Sequence, residues 1–374
     1  SYALMAALML AGVAGVLAAP REARHEVPPL DVSGAEAAPL RDLLEWLGRL
    51  VLVVCAAGLL GSGLSGDPFL LRTALSGLGL PSAAGAVSDL WASRPGGAIA
   101  QVLAALGGLA LLGAAISPLP GRPTRPGRFL FEALGEPRAD FVRRHRRSAA
   151  LILALICVYR LPDFVLNIMN PFYLDLGFSK LEIAEVRKVL GVVMSVAGVG
   201  LGGWAVARLG LMRALVIGAL AGPVSNLAFA WLTLQGPQVW ALALAIGLDN
   251  LASGFAGTCL IAYMSSLTSQ GFTASQYALF SSLYALLGKL IASQSGRVVE
   301  GAARLADAAG PLAGAAPAGA FVRAAAKSGV SAAGLGTGYV VFFLYSAALG
   351  VVGVVLTLAV AARETRPAAS PEGG

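Results

Sequence analysis

Apolar residues in this chain do not alternate with polar ones. They run in long blocks separated by short polar stretches. A helix that crosses a bilayer needs about 20 predominantly apolar residues at 1.5 Å rise each. Nine blocks qualify: 2–19, 44–65, 97–117, 149–170, 183–206, 214–234, 239–264, 274–295 and 338–362. The pattern predicts an all-α polytopic membrane protein with about nine transmembrane helices. The second block is the weakest, because Glu45 and Arg49 sit in its first turns. The first block ends in small residues, as a signal peptide would. It lacks a basic leader and an initiator Met, and reads as a transmembrane helix of a chain that starts further upstream. Residues 20–43 and 118–147 are polar, proline-bearing connectors. Residues 300–337 are an Ala/Gly-rich loop interrupted by Arg304, Asp307, Arg323 and Lys327, with room for an amphipathic helix but not for another span. No strong internal repeat is visible.

Composition agrees with this pattern. Hydrophobic residues make up 57% of the chain and charged residues 13%, about half the charged share usual in a soluble domain. The net charge of +7 raises the possibility of nucleic acid, but no basic stripe with interleaved aromatics is present. The bases cluster between apolar blocks, as the positive-inside rule expects. Alternation from the first block places 15 of them on one side and 7 on the other, which makes the C-terminus cytoplasmic. The cluster Arg143-Arg144-His145-Arg146-Arg147 dominates that count and reads as a topology anchor in contact with anionic lipid. Cys55, Cys157 and Cys259 lie in apolar blocks and read as free thiols. His25 and His145 lie in connectors, which leaves no His/Cys metal site and no need for a cofactor. A membrane-embedded transferase would want a base or metal ligands near a membrane face, so an enzyme is not expected.

Ionisable residues inside a membrane are costly and mark function by default. Five stand out: Arg160, Asp163, Lys188, Asp249 and Lys289. Four lie about 15–20 Å into their helices, and Lys188 about 8 Å, at 1.5 Å per residue. Arg160 and Asp163 are three apart and can pair. Pro162 between them removes a backbone donor and loosens the helix. A broken helix beside charges is a common form of transporter site. Asn250 follows Asp249, and Gly247, Gly254 and Gly257 allow close helix approach. The five charges sum to +1, which suits an anionic or zwitterionic solute, and Asp163 or Asp249 is the acid able to carry a coupling proton. A plainer reading stands beside this one. Arg160–Asp163 and Asp249–Lys289 would be ion pairs that fix helix order, and Lys188 would snorkel to the interface.

Several stretches carry a family resemblance. They are Tyr159-Arg160-Leu161-Pro162-Asp163, Lys188-Val189-Leu190-Gly191, Arg213-Ala214-Leu215, Asp249-Asn250-Leu251-Ala252-Ser253-Gly254 and Phe272-Thr273-Ala274-Ser275-Gln276-Tyr277-Ala278-Leu279. In this order the chain from about 159 to 300 resembles the C-terminal half of the AmpG-like muropeptide permeases of the major facilitator superfamily. Tyr2-Ala3-Leu4-Met5-Ala6-Ala7-Leu8 resembles that family's sixth helix. The resemblance implies a six-helix bundle over 148–362, a cytoplasmic tail over 363–374, and residues 1–19 as the last helix of an N-terminal bundle. Residues 20–147 would then be a central connector with two extra helices, 44–65 and 97–117, peripheral and without site residues.

The superfamily's cytoplasmic gate motif has a counterpart in Gly203, Arg208, Gly210 and Arg213. Ala207 stands where the motif has an acid, so the turn also reads as a merely basic inner loop. The function implied is proton-coupled import of anhydromuropeptides across the bacterial inner membrane for peptidoglycan recycling. Its partners would be a glycopeptide, protons and membrane lipids, without nucleic acid. Five helices of the family pattern precede the first block, so this stretch alone is not expected to transport. The rivals are a facilitator for another anionic or zwitterionic solute and a non-transporting membrane scaffold.

Overall fold

The computed structural model describes residues 38–364 apart from 94–95, 120–123, 147, 270 and 318, together with Leu10, Val13, Ala14, Leu17 and Ala18. Contacts divide the chain into two units, Ser1–Leu30 and Asp31–Gly374. In the first unit the five described residues are helical and exposed; the rest of the 2–19 block lies outside the described residues. The second unit holds everything that follows.

All its regular elements among the described residues are helical. They are α1 (Pro39–Leu64), α2 (Phe69–Gly77), α3 (Pro81–Ala92), α4 (Gly96–Ile116), α5 (Arg125–Leu130), a π turn (Phe131–Gly135) and α6 (Glu136–His145). Next come α7 (Ala149–Val158), α8 (Leu161–Val165), a 3-10 turn (Leu166–Ile168) and α9 (Met169–Leu176). Then follow α10 (Lys180–Val186), a second π turn (Arg187–Gly191), α11 (Val192–Leu209), α12 (Leu211–Gln235) and α13 (Val239–Leu267). The chain ends with α14 (Thr273–Ala292), α15 (Ser295–Ala309), α16 (Val322–Ser328) and α17 (Ala332–Glu364). Seven helical stretches among the described residues are long and apolar enough to cross a membrane: α1, α4, Ala149–Leu176, Lys180–Leu209, α12, α13 and Ala332–Arg363. The block at 274–295 also folds as a helix, α14, but Gln276, Ser281, Ser282 and Lys289 leave it outside those seven.

The chain is a multi-pass membrane protein, and its packing follows membrane rules. Large apolar side chains stay exposed along α11 (Val192, Val193, Val196, Val199) and α17 (Val351, Val352, Val355). Helices meet through small residues. A side chain at Gly198 would come within 2.3 Å of the Leu251 carbonyl, and one at Gly254 within 2.5 Å of the Ser195 carbonyl. The backbones of α11 and α13 therefore touch.

Helices α1 and α4 pack in the same way, Gly63 against Ala105 and Gly108 against Ala56. They are also tied to the bundle. Gln101 of α4 accepts hydrogen bonds from Gln294 (2.7 Å) and Arg297 (3.3 Å) at the α14–α15 junction. α1 begins five residues before its predicted start, and Glu45 and Arg49 do not weaken it. They pair at 2.7 Å with side chains only 6–7% exposed. Glu45 also accepts from Thr124, and Arg49 donates to the Ala115 carbonyl.

Two apolar cores fill the bundle. One gathers Phe172, Tyr173, Phe229, Ile246, Phe342 and Phe343. The other gathers Ile156, Tyr159, Ala219, Ala256, Tyr263 and Phe280. Between them, on α8, α12, α13 and α17, fall 160–163, 222–226, 249–253 and 346. That polar layer is the candidate site.

Candidate functional site

The layer starts from a broken helix. α7 stops at Val158, and Arg160 is the N-cap of α8 at φ −106°, ψ 13°. Pro162 then occupies the first turn of α8, where its missing N–H would have had no partner anyway. The backbone tightens to 3-10 at Leu166–Ile168 before α9 resumes. Breaks at membrane depth persist only where neighbours satisfy the freed groups, and here they do. Ser346 donates to the Pro162 carbonyl at 3.3 Å and Ser295 donates to the Val165 carbonyl at 2.9 Å; in turn Asn167, in the 3-10 turn, donates to the Ala292 carbonyl at the end of α14 at 3.0 Å.

The break presents Arg160 and Asp163 together. Arg160 Nε donates to Asp163 Oδ2 at 2.8 Å, and Arg160 Nη2 donates to Ser253 Oγ at 2.6 Å. Ser253 in turn lies 3.4 Å from Asp163 Oδ2. Gly257, one turn further along α13, leaves room for the guanidinium: a side chain there would lie 3.0 Å from Arg160 Nη1. The pair keeps 24% and 20% of its side-chain surface exposed. A second carboxylate lies one turn of α13 before Ser253. Asp249 is half-buried and takes a hydrogen bond from Ser225 at 3.4 Å. The charges of Asp163, Arg160 and Arg187 act on it, yet no ion pair holds it among the described residues. Asn250 beside it accepts from Ser195 at 3.1 Å and donates to the Ile246 carbonyl at 2.8 Å, which locks its amide between α11 and α13.

The structure therefore gathers Arg160, Asp163, Asp249 and Asn250 in one layer. Lys188 and Lys289 stand apart. Both are exposed, Lys188 in the second π turn and Lys289 on α14, and neither makes an ion pair among the described residues. No Asp249–Lys289 pair forms. Of the residues that match the gate motif, Gly203 lies within α11, and the other three lie at the α11–α12 turn. Gly210 adopts φ +86°, a conformation for which glycine is the default, and Arg208 and Arg213 flank it, exposed.

Ser253 and Ser225 complete the layer, and no charge announced them. The signal for Ser253 is its spacing: Asp249, Ser253 and Gly257 follow at i, i+4 and i+8 on one face of α13. A separate polar cluster sits at the end of the bundle that carries the α11–α12 and α13–α14 turns. Gln276 is fully buried. It donates to the Pro137 carbonyl (2.8 Å) and to Asp140 (3.0 Å), and accepts from Arg144 (3.0 Å) and Ser269 N (2.8 Å). Arg144 also reaches the Leu267 carbonyl at 3.1 Å. This ties the connector helix α6 to the turn between α13 and α14. Burial works to raise the Asp140 carboxyl, but hydrogen bonds from Gln276, Ser269 and Arg144 outweigh it and hold the group below the usual carboxylate range.

An arginine–carboxylate pair that shares a serine, beside a second acid with no ion-pair partner among the described residues, offers groups of the kind that bind a carboxylate or hold a proton. No family model matches the chain. It is 35% identical over 147 residues to the putative transporter AmpG 4 of Rickettsia conorii, covering 39% of this chain and 35% of that relative. It is 35% identical over 133 residues to the putative transporter AmpG 1 of Rickettsia prowazekii, covering 35% and 30%. It is 29% identical over 198 residues to the anhydromuropeptide permease of Escherichia coli, covering 52% and 40%. The chain thus spans 30–40% of the length of these curated relatives. Over that shared stretch the chain is AmpG-like, which bears out the resemblance carried by its sequence.

Proposed function

We propose that the protein is a secondary active transporter of the major facilitator type that imports anhydromuropeptides with protons across the bacterial inner membrane. The observation that carries this reading is the Arg160–Asp163–Ser253 centre, held at a helix break between two apolar cores. Residues 148–362 form the C-terminal bundle, which rocks against an N-terminal one around this layer. The C-terminus and the α11–α12 turn lie on the cytoplasmic side, where Arg208 and Arg213 latch the gate. Arg160 binds a solute carboxylate by exchanging it for Asp163, and Lys188 and Lys289 contact further carboxylates of the solute. Asp249 carries the coupling proton, because Asp163 is ion-paired with Arg160, whereas Asp249 has a hydrogen bond from Ser225 and no ion pair among the described residues.

The test is uptake of labelled anhydromuropeptide by cells that lack their own permease and express the full-length gene. Uptake should depend on the proton gradient and fall at least about 100-fold in Asp249→Asn, the order expected when an essential proton carrier is removed. Gradient-dependent uptake that survives this change would remove Asp249 from the mechanism. No uptake at all, with the protein folded in the membrane, would move the solute to another anionic or zwitterionic class.

A further inference from the structure

At the end of the bundle opposite the gate turn, α9 stops at Gly177 and α10 starts from Ser179. The short helix α16 lies across this turn. Between them is a pocket of about 540 Å³ lined by Leu174, Asp175, Ser179, Lys180, Glu182, Arg323 and Lys327, among others. Two acids and three bases face it, and they differ in what already occupies them.

The acids are engaged within the protein. Asp175 Oδ2 accepts from the Tyr339 hydroxyl at 2.6 Å. Glu182 Oε2 accepts from Ser179 N at 2.8 Å and Ser179 Oγ at 2.7 Å, closing a capping box at the start of α10. The bases are not engaged. Lys180, Arg323 and Lys327 are exposed and make no hydrogen bond or ion pair among the described residues, although the charge of Lys327 also acts on Asp175. The acceptors are used and the cationic donors are open.

The mount of the cations is rigid. Phe321, fully buried, adopts the left-handed φ of +62° that a bulky residue rarely takes. Its N–H donates to the Asp175 carbonyl at 2.9 Å, and its ring stacks on Tyr339 at 5.5 Å. Tyr339 returns to the Asp175 carboxylate, so Phe321, Asp175 and Tyr339 form a closed ring of contacts. This ring fixes the start of α16. Arg323 and Lys327, four residues apart, then share one face of that helix, while Ala325 packs into the core. Backbone strain held by over-determined contacts is a mark of ligand-facing segments.

We infer that this pocket is a docking site for an anionic group, a carboxylate or phosphate, with Arg323 as the bidentate donor and Lys180 and Lys327 as point charges. It rests on the transporter reading for one of its two possible sources of that group, the carboxylate-bearing solute on its way to the central layer. The other source is the headgroup of an anionic lipid. Arginine presents a planar fork suited to either.

The experiment uses the full-length protein in nanodiscs, wild type beside the double variant Arg323→Gln/Lys327→Gln and the charge-preserving Arg323→Lys/Lys327→Arg. Two quantities are read: the dissociation constant for labelled anhydromuropeptide in neutral phosphatidylcholine, and the rise in melting temperature when phosphatidylglycerol replaces part of that lipid. A dissociation constant about tenfold weaker in the Gln variant and largely kept in the charge-preserving one assigns the site to the solute, about the loss that follows removal of a charge-assisted hydrogen bond. A phosphatidylglycerol effect that vanishes in the Gln variant alone assigns it to lipid. Both quantities unchanged in the Gln variant would overturn the site. Failure of the transport reading looks different, since wild type would then bind no muropeptide while the lipid measurement still decides the pocket.

Discussion

Two acid–base pairs sit in spanning helices of this protein, and they have opposite fates. Glu45 and Arg49 of α1, four residues apart, are 6% and 7% exposed, and Arg49 is also engaged by the Ala115 carbonyl. Arg160 and Asp163, three residues apart, keep 24% and 20% of their surface exposed and share a serine from another helix. The first pair sits on an unbroken helix, the second at a break between two cores. Sequence spacing makes the two look alike, and burial separates them. A sealed pair is a structural fastener, because neither partner can leave without stranding the other. A half-open pair with a spare hydrogen-bonding partner can change partners, which a binding site requires.

The sharpest way to break that contrast is to remove one member of each pair. Glu45→Ala leaves the Arg49 guanidinium buried without its carboxylate, and truncating one partner of a buried pair typically costs about 3–5 kcal/mol. The expected outcome is a large fall in melting temperature or loss of folded protein, measured in detergent extracts. Replacing both by leucine should recover most of that loss, since well-packed apolar residues often match a buried pair. A Glu45→Ala protein as stable as wild type would show that water reaches Arg49 and that the pair is not sealed.

Asp163→Asn should do the reverse. The amide can keep one hydrogen bond to Arg160, and Ser253 keeps another, so the guanidinium is not stranded. Melting should therefore barely move. Uptake should fall about 100-fold, because an arginine without its resident carboxylate holds the solute's carboxylate too well to release it. A variant that transports normally would reassign the pair to helix order, the plainer of the two readings its spacing allows.

Much of the fold was legible because lipid rewards long apolar blocks, and Pro162 with its flanking charges located the helix break. The polar layer was legible only in its charges. Ser253 and Ser225 are small hydroxyls in apolar helices, where serine also serves merely to let helices approach. The segment 66–93 gave no spanning block, yet it folds as α2 and α3, with Trp91 donating to the Ser62 carbonyl at 3.3 Å. Residues 300–337 read as an Ala/Gly-rich loop with room for an amphipathic helix, and α15 runs into it as far as Ala309. The structure of that segment depends on Phe321, whose positive φ no pattern announces. Lys188 and Lys289 could not be placed from spacing alone, since depth along a helix says nothing about which face a residue occupies.

The smallest expected effect concerns the Gln276 cluster, which lies outside both pairs. It joins α6 to the α13–α14 turn through Asp140, and its contribution has a definite pH sign. Asp140 is held below the ordinary carboxylate value of 3.8 by Gln276, Ser269 and Arg144. A depressed folded-state value means the stabilisation is fully present above the unfolded value and is lost as pH falls through the folded one. The protein should therefore melt at a constant temperature through the neutral range and down to about pH 5, then lose stability as acid protonates the cluster. Asp140→Asn should lower stability at neutral pH by about 1–2 kcal/mol, the usual cost of weakening hydrogen bonds to a charged group. It should also flatten the acid limb of the profile. An acid limb of unchanged slope in the variant would place the titrating group elsewhere, and α6 would then rest on the α13–α14 turn through Gln276 and the Pro137 carbonyl alone.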